Sequence, residues 1–260
     1  WVDIDACLVH RFDPATGENQ SRNVGKKVGT VAPTDSGKLV IGLSDGVYGL
    51  DFDTGELDKL CDPMGGNPEN RFNDGKAGPD GRFYIGSMGP GRTEGLYRVE
   101  TDGRWVEIEN GIGCSNGLVW SLDNTVFYYI DSRSQSVVAY DFDLDTGAIS
   151  NKRTVIDVNP ELGIPDGMTI DSEGMLWIAH WQGWHVRRWN PNTAEVLQEI
   201  PVPVERVTSC AFGGVDFRDL YITTSSVEMT DENWVDQPQA GGLFRIRLDV
   251  AGVPSFAYGG

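Results

Sequence analysis

Two strand-forming patterns alternate along this chain, and their repetition limits the possible fold more than any other feature. The first is a polar turn that leads into an aromatic or β-branched run, at residues 35–42, 80–86, 123–130, 171–178 and 216–222. The second is an alternating strand that often runs into an Asp-x-x-Thr-Gly turn, at residues 9–13, 47–51, 96–99, 138–141, 186–189 and 243–246. Alternation with a period of two, bounded by Asp and Gly turns, is typical of antiparallel strands with short connections.

The length of this repeat predicts the blades of a β-propeller. Repeats of about 40 to 50 residues that each hold several strands are the signature of such blades. The second pattern occurs six times and the first five times, and Trp1 to Asp3 would end a sixth copy of the first. We therefore expect an all-β fold, a six-bladed β-propeller of four-stranded antiparallel blades whose first blade is truncated. Residues 1–260 would form one domain, and no helix is needed.

The net charge limits the expected binding partners, and the cysteine pattern indicates the cellular compartment. The formal net charge of −18 excludes nucleic acid and anionic membranes as expected partners, because both would repel the chain. The negative charge leaves divalent cations and neutral or weakly charged small molecules as expected ligands. No apolar run approaches the roughly 20 residues of a membrane span, and no signal peptide is visible. The four cysteines lie far apart with no CxxC pair, which favours reduced thiols in a cytoplasmic protein. We expect a monomer or a small homo-oligomer.

The innermost strands of the predicted blades place polar residues at one mouth of a central channel. These strands are predicted at residues 76–77, 117–120, 168–170 and 209–212, and the mouth residues just before them are 73–74, 115–116 and 165–166. Asp166 stands between Pro165 and Gly167, so the restricted proline and the permissive glycine can present its carboxylate in one orientation. Asp166 can equally be an ordinary turn residue, because turns favour Pro, Asp and Gly.

The side chains at this mouth suit a metal or an oxygen-rich ligand. Asn116 offers a neutral oxygen and Asp166 an anionic one, a combination that suits Ca²⁺, Mg²⁺ or Mn²⁺ and can hold a catalytic Zn²⁺ if water and carboxylate complete its shell. Asn73 can bind a metal through water or hold a substrate hydroxyl. Arg71 can hold a carbonyl or hydroxyl oxygen or stabilise an oxyanion. The residues therefore indicate a ligand or metal site as the first hypothesis.

Longer motifs surround these residues and cover nearly the whole chain. They occur in order at residues 70–76, 80–82, 115–118, 120–123, 128–132, 165–168, 176–177, 208–214, 239–244 and 258–260. In these motifs the sequence resembles the SMP-30/gluconolactonase family, which includes regucalcin and bacterial sugar lactonases. The resemblance implies a six-bladed propeller with one divalent cation and a hydrolytic activity on sugar lactones.

The resemblance also implies roles for individual residues. The family's metal ligands are a glutamate from an N-terminal strand, an asparagine and an aspartate, and the last two map onto Asn116 and Asp166. Asp166 would also be the acid/base group, while Arg71 and Asn73 would bind substrate.

The sequence departs from the family pattern in two places. The glutamate-bearing strand would precede Trp1, where the repeat count also expects a strand. The loop after Met88 is shorter than the regucalcin loop, which carries a substrate-binding glutamate, and Glu94 is not a clean equivalent of that residue.

These observations leave three hypotheses for function. The first is a divalent-metal-dependent lactonase that acts on aldono-lactones or similar small cyclic esters. The second is a calcium-binding regulatory protein without catalysis, and the third is an inactive remnant that lacks the glutamate ligand. Arg71 and Asn73 favour catalysis, because a pure cation binder needs only oxygen ligands.

Each of the other polar residues near the predicted mouth has two possible roles. No Ser-His-Asp arrangement is indicated, because none of the three histidines falls in the matching motifs. We expect His180 and His185 to pack or to line the rim, with substrate contact as the alternative. Asp74 and Asp131 either support the site from outside or belong to blade turns.

Overall fold

The computed structural model describes residues 1–260 and consists of 22 β-strands, one short α-helix and two 3-10 turns. The strands form six antiparallel sheets that follow one another along the chain, four of them with four strands and two with three. The predicted all-β, six-bladed β-propeller fold is confirmed, and the first sheet has three strands. The last sheet also has three strands, which the repeat count did not predict.

By its contacts the chain divides into two compact units. The first comprises residues 1–115, 143–149 and 255–260, and the second comprises residues 116–142 and 150–254. The single domain expected from the sequence stays a prediction. No helix in the structure has the length and apolar character needed to cross a membrane.

The first unit contains the first three sheets. Sheet one is β1 (Val2–Asp3), β2 (Leu8–Asp13) and β3 (Glu18–Asn23). Sheet two is β4 (Val28–Pro33), β5 (Leu39–Leu43), β6 (Gly46–Leu50) and β7 (Leu57–Cys61). Sheet three is β8 (Arg71–Ala77), β9 (Phe83–Met88), β10 (Glu94–Val99) and β11 (Trp105–Ile112).

The last three sheets belong to the second unit, apart from residue 115 at the start of β12 and residue 149 at the start of β15. Sheet four is β12 (Ser115–Trp120), β13 (Val126–Asp131), β14 (Ser136–Phe142) and β15 (Ile149–Asp157), with a 3-10 turn at Ser132–Ser134. Sheet five is β16 (Ile164–Ile170), β17 (Leu176–Trp181), β18 (His185–Asn190) and β19 (Glu195–Pro201), preceded by a 3-10 turn at Pro160–Leu162. Sheet six is β20 (Val207–Gly213), β21 (Asp219–Thr224) and β22 (Leu243–Arg247).

The first strands of successive sheets pack against each other so closely that glycine is required. A Cβ atom at Gly29 on β4 would lie 2.2 Å from the Phe72 carbonyl oxygen of β8, and one at Gly167 on β16 would lie 2.2 Å from Ser209 Oγ of β20. Neither distance leaves room for a side chain, so Gly29 lets two backbones pack together and Gly167 makes room for the Ser209 side chain.

These first strands begin earlier than the sequence predicted, and the reason is a β-bulge. The register of β8 against β9 shifts between Phe72 and Gly75, and that of β16 against β17 shifts between Pro165 and Met168. Periodicity stops at a bulge because the extra residue reverses the in-out alternation. The predicted mouth residues therefore lie within the strands and not in loops before them, and those on β8 and β16 lie at or beside these bulges.

Helical structure is sparse, but it is present where none was expected. Helix α1 (Asp231–Asp236) lies in the connection between β21 and β22. Thr230 caps it, because its side chain accepts from the Asn233 backbone while the Asn233 side chain accepts from the Thr230 backbone. Six residues are too few for a clear helical period in the sequence, so the capping residues were the only available signal.

Candidate functional site

Asn116 is buried at the start of β12 and is held by a relay of hydrogen bonds in the second unit. Its Nδ2 atom donates to Ser132 Oγ over 2.7 Å, and Ser132 Oγ lies 2.6 Å from the Pro165 carbonyl oxygen. The carbonyl can only accept, so the serine proton goes to Pro165 and the serine oxygen accepts from the Asn116 amide. The relay therefore identifies the Asn116 atom that faces Ser132 as nitrogen, and directs Oδ1 away from it.

Asp166 lies in the bulge of β16, next to this relay. A Cβ atom at Gly117 would lie 2.8 Å from the Asp166 carbonyl oxygen and 2.6 Å from the Met168 amide nitrogen. The backbones of β12 and β16 are therefore in contact at this point, and a larger residue than glycine would separate them. The structure thus brings together the two residues that the sequence predicted as metal ligands, Asn116 and the half-buried Asp166.

The Asn116–Asp166 pair fits a hard divalent cation by the chemistry of its donors. A side-chain amide oxygen and a carboxylate are the ligands that Ca²⁺, Mg²⁺ and Mn²⁺ prefer. The structure contains no group of three or more His, Cys, Asp or Glu side chains that could hold a metal ion. A cation bound by this pair would keep coordination positions for water or substrate, as catalytic sites do.

Arg71 and Asn73 form a second pair, on β8 in the first unit. Arg71 Nη1 donates to Asn73 Oδ1 over 2.6 Å and to the Phe72 carbonyl oxygen over 3.0 Å. Asn73 Nδ2 donates to the Ser115 carbonyl oxygen over 2.7 Å, which sets the orientation of its amide. The pair holds a guanidinium in a defined orientation. A ligand that binds it therefore causes only a small further loss of side-chain conformational entropy.

Asp74 follows Asn73 in the same bulge. Burial raises the pKa of its carboxyl group, and Lys76 and a 2.7 Å hydrogen bond from the Gly75 amide oppose that rise. Of its two interpretations from the sequence, the structure favours a role beside the site, because Asp74 lies in the bulge and not in a turn between strands.

Glu94 was not predicted as a site residue, but its surroundings in the structure make it a functional candidate. It is only 1% exposed and accepts hydrogen bonds from Asn70 Nδ2 at 2.5 Å and from Thr93 Oγ1 at 3.1 Å. A Cβ atom at Gly89 would lie 2.3 Å from Asn70 Oδ1 and 2.6 Å from Glu94 Oε1, so the short loop closes directly over this pair. The available signal was Asn70, which stands just before Arg71 and could have been paired with an acid across the loop.

His180 has a packing role. It is fully buried, its ring stacks on Trp189 with centroids 6.0 Å apart, and its Nε2 accepts from the Trp189 indole at 3.3 Å. Burial and the nearby Arg187 lower the pKa of His180 to about 3, so the ring is neutral at physiological pH. His185 Nδ1 lies 2.8 Å from the Gly183 carbonyl oxygen in the same hairpin.

Asp131 caps the 3-10 turn that carries Ser132. Its carboxylate accepts from the Arg133 amide at 3.2 Å and from Ser134 Oγ at 3.0 Å. The structure therefore supports the turn interpretation of Asp131. The 3-10 turn that Asp131 caps also positions Ser132 in the relay to Asn116.

Known proteins resemble the chain over its whole length. Residues 1–226 match the model of the SMP-30/gluconolactonase/LRE-like region. Regucalcin of Danio rerio is 41% identical and the putative sugar lactone lactonase YvrE of Bacillus subtilis is 37% identical, each over 100% of this chain and 90% of the relative.

Solved structures agree with this relationship. A luciferin-regenerating enzyme superposes with a TM-score of 0.91 at 31% identity, over 99% of this chain and 90% of its own. Regucalcin from Agrobacterium tumefaciens, described as a calcium-binding protein, superposes with a TM-score of 0.93 at 26% identity, over 98% and 87%. The bulged first strands, the paired polar residues on them and the sequence similarity agree, and the chain belongs to the SMP-30/gluconolactonase/LRE-like family.

Proposed function

We propose that this chain is a divalent-metal-dependent lactonase that hydrolyses sugar lactones or similar small cyclic esters. Family relatives such as the sugar lactone lactonase of Bacillus subtilis support lactone hydrolysis in general. The observation that carries the finer proposal is the oriented Asn116 amide on a strand whose backbone contacts that of Asp166, since an amide oxygen and a carboxylate are both hard donors.

In this proposal Asn116 Oδ1 and the Asp166 carboxylate hold one divalent cation, Ca²⁺, Mg²⁺, Mn²⁺ or Zn²⁺. When bound, such a cation polarises a carbonyl oxygen and lowers the pKa of water. Ser132 accepts from the Asn116 amide nitrogen and so fixes the orientation of the amide whose Oδ1 would face the cation. Metal-ligand partners of this kind orient the ligands and tune affinity.

Asp166 moves the protons of the reaction. Its carboxylate accepts a proton from the water whose oxygen attacks the lactone carbonyl carbon. As the bond between that carbon and the ring oxygen breaks, the protonated Asp166 returns the proton to the ring oxygen. Addition of one water gives a hydroxy acid, which then ionises at neutral pH and releases one proton to the solution.

Arg71 and Asn73 bind the sugar. The bond from Arg71 to Asn73 keeps both side chains in place, and together they present N–H donors suited to hydroxyl or carbonyl oxygens. Arg71 also supplies positive charge that can stabilise negative charge developing on the carbonyl oxygen.

Hydrolysis of glucono-lactone followed by pH-stat, with and without EDTA, tests the proposal. We expect turnover that EDTA abolishes, and a loss of about 100- to 10,000-fold in kcat for Asp166→Ala, the usual contribution of a general base. Asp157→Asn is the matched control, because Asp157 is an exposed acid of the second unit. Full activity of Asp166→Ala, or no turnover by metal-loaded protein on a panel of sugar lactones, would refute the mechanism.

Calcium binding without catalysis is the second candidate. The similarity to the calcium-binding regucalcin of Agrobacterium tumefaciens favours it. Isothermal titration with Ca²⁺ separates the two candidates, because tight binding without turnover on any lactone of the panel would leave only the second.

A further inference from the structure

Arg206, just before β20 in the second unit, has a buried guanidinium that the protein does not satisfy. The residue is 9% exposed, and its Nε and Nη1 atoms have no hydrogen-bond acceptor on the protein. The nearest acid is Glu228, whose Oε2 lies 3.9 Å from Nη2 and whose side chain is 80% exposed. An ion pair this long with a partner this exposed contributes little.

Trp181 forms one wall of the Arg206 site. The guanidinium carbon lies 5.5 Å from the centre of the Trp181 ring, within the range of a cation–π contact. A stacked guanidinium keeps its N–H groups directed outward in its own plane. The indole therefore orients the arginine and leaves its hydrogen-bond donors for another partner.

The strand register places Arg206 near the start of β16. Trp181, the last residue of β17, is paired with Ile164 on one side and forms a β-bridge to Arg206 on the other. Pro165 and Asp166 follow Ile164 directly. Arg206 therefore lies at the same end of the second unit as the proposed ligand Asp166.

Buried N–H donors of a cation that lack an acceptor cost folding free energy. That cost indicates the chemistry of a ligand that would bind Arg206. Nearly all buried polar groups in folded proteins are hydrogen-bonded, and an unpaired buried charge is more costly than an unpaired neutral group. The cation–π contact with Trp181 offsets only part of this cost, because it satisfies no N–H donor. An anionic oxygen ligand would accept hydrogen bonds from these N–H donors, and a carboxylate matches the fork of donors that a guanidinium presents.

We propose that Arg206, held against Trp181, is a binding site for the carboxylate of a small organic acid. The inference deepens the proposed lactonase function and rests on it for the identity of the acid, because lactone hydrolysis releases a carboxylate. The carboxylate has two possible sources. It is either the new carboxylate of the hydroxy-acid product or a carboxylate substituent that the lactone itself carries.

Isothermal titration with D-gluconate and D-glucarate, without added divalent cation, tests the site directly. We expect Arg206→Met to weaken binding by about 10- to 100-fold, the contribution of hydrogen bonds to a charged group. The matched control is Arg153→Met, which removes an exposed arginine of the second unit and should bind both acids like wild type. D-glucitol, which has the chain of gluconate but no carboxylate, should show no difference among the variants.

Kinetics on two lactones distinguish the two sources. If the product carboxylate binds, Arg206→Met relieves product inhibition by D-gluconate during glucono-lactone hydrolysis. If a substituent binds, the variant instead raises KM for glucaro-lactone and leaves KM for glucono-lactone unchanged.

The binding assay also separates this proposal from the lactonase proposal. Arg206-dependent binding of either acid supports the site even if no lactone is turned over. The site is refuted if wild type binds neither acid, or if Arg206→Met and Arg153→Met bind both acids equally. Arg206→Lys, which keeps the charge, and thermal unfolding of each variant show whether a loss of binding comes from misfolding.

Discussion

The two candidate pairs occupy similar places in the sheets but carry opposite chemistry. Arg71 and Asn73 lie at the bulge of the first strand of sheet three, and their defined bonds present positive charge and N–H donors. Asn116 and Asp166 lie on first strands of sheets four and five, and they present oxygen acceptors. The comparison teaches that first strands of different sheets carry different side chains for different tasks, and that two of these strands, β8 and β16, use a bulge.

Among substitutions that test the difference between the two pairs, the largest effect is expected from replacing Arg71. Arg71→Met removes the charge and the bond to Asn73, so we expect KM for glucono-lactone to rise about 10- to 100-fold, the contribution of hydrogen bonds to a charged group. Arg71→Lys should recover less than half of the loss in binding free energy, because lysine lacks the planar fork. The measurement is a pH-stat titration over substrate concentration.

Arg11→Met serves as the control, since it removes an exposed arginine of the same unit. An unchanged KM in Arg71→Met would show that the donor-rich pair does not bind the substrate.

Close backbone contacts should be equally important in both units. Gly29→Ala and Gly117→Ala would place a Cβ atom 2.2 Å from the Phe72 carbonyl oxygen and 2.6 Å from the Met168 amide nitrogen. We expect each to destabilise the fold by about 1 to 3 kcal/mol, as overpacking does. Chemical denaturation measures the change.

Gly49→Ala is the matched control, because its nearest neighbour would be 3.9 Å away. If Gly117→Ala is as stable as Gly49→Ala, the contact between β12 and β16 does not hold Asn116 and Asp166 together.

Substitution of Ser132 should affect only the Asn116–Asp166 pair, which presents the oxygen acceptors. Ser132→Ala removes the relay, so we expect divalent-cation affinity to fall by about tenfold, at the lower end for partners that orient metal ligands. KM should change less than in Arg71→Met, because Arg71 and Asn73 keep their bonds. Calorimetric titration with Ca²⁺ and Mn²⁺ measures the loss.

Ser150→Ala replaces an exposed serine of the second unit and provides the baseline. Equal cation affinity in Ser132→Ala and Ser150→Ala would mean that the orientation of Asn116 does not depend on the relay.

The smallest effect is expected from Asp74, the half-buried acid beside the donor pair. Burial raises the pKa of Asp74 above its ordinary value of 3.8, so the fold favours the protonated form more than the unfolded chain does. Its stabilising contribution is present below pH 3.8 and is lost as the pH rises through the raised folded pKa. Asp74→Asn cannot ionise, so its melting temperature relative to wild type should increase over this pH range.

Thermal unfolding from acid to neutral pH checks this expectation. A difference between wild type and Asp74→Asn that does not change with pH would show that Asp74 is not perturbed by burial.

Much of the architecture could be predicted from local patterns. Each alternating strand and each Asp-Gly turn is specified by residues close in the chain, so the six repeats predicted six sheets. The predicted starts of β8 and β16 were wrong, because a bulge interrupts the alternation on which the prediction depended. Helix α1 was missed because six residues form no clear period.

The sequence by itself determined which residue types could do chemistry: Arg71, Asn73, Asn116 and Asp166 stand in recognisable motifs, and those motifs determined the family. Only the tertiary structure decided how these side chains are oriented. Ser132 fixes the Asn116 amide through a proton that must go to Pro165, and Glu94 is buried under a loop whose closure Gly89 permits. Hydrogen bonds and close contacts join residues distant in the chain, so no local pattern contains them. The unsatisfied guanidinium of Arg206 is such a feature, because burial belongs to the fold and not to the residue.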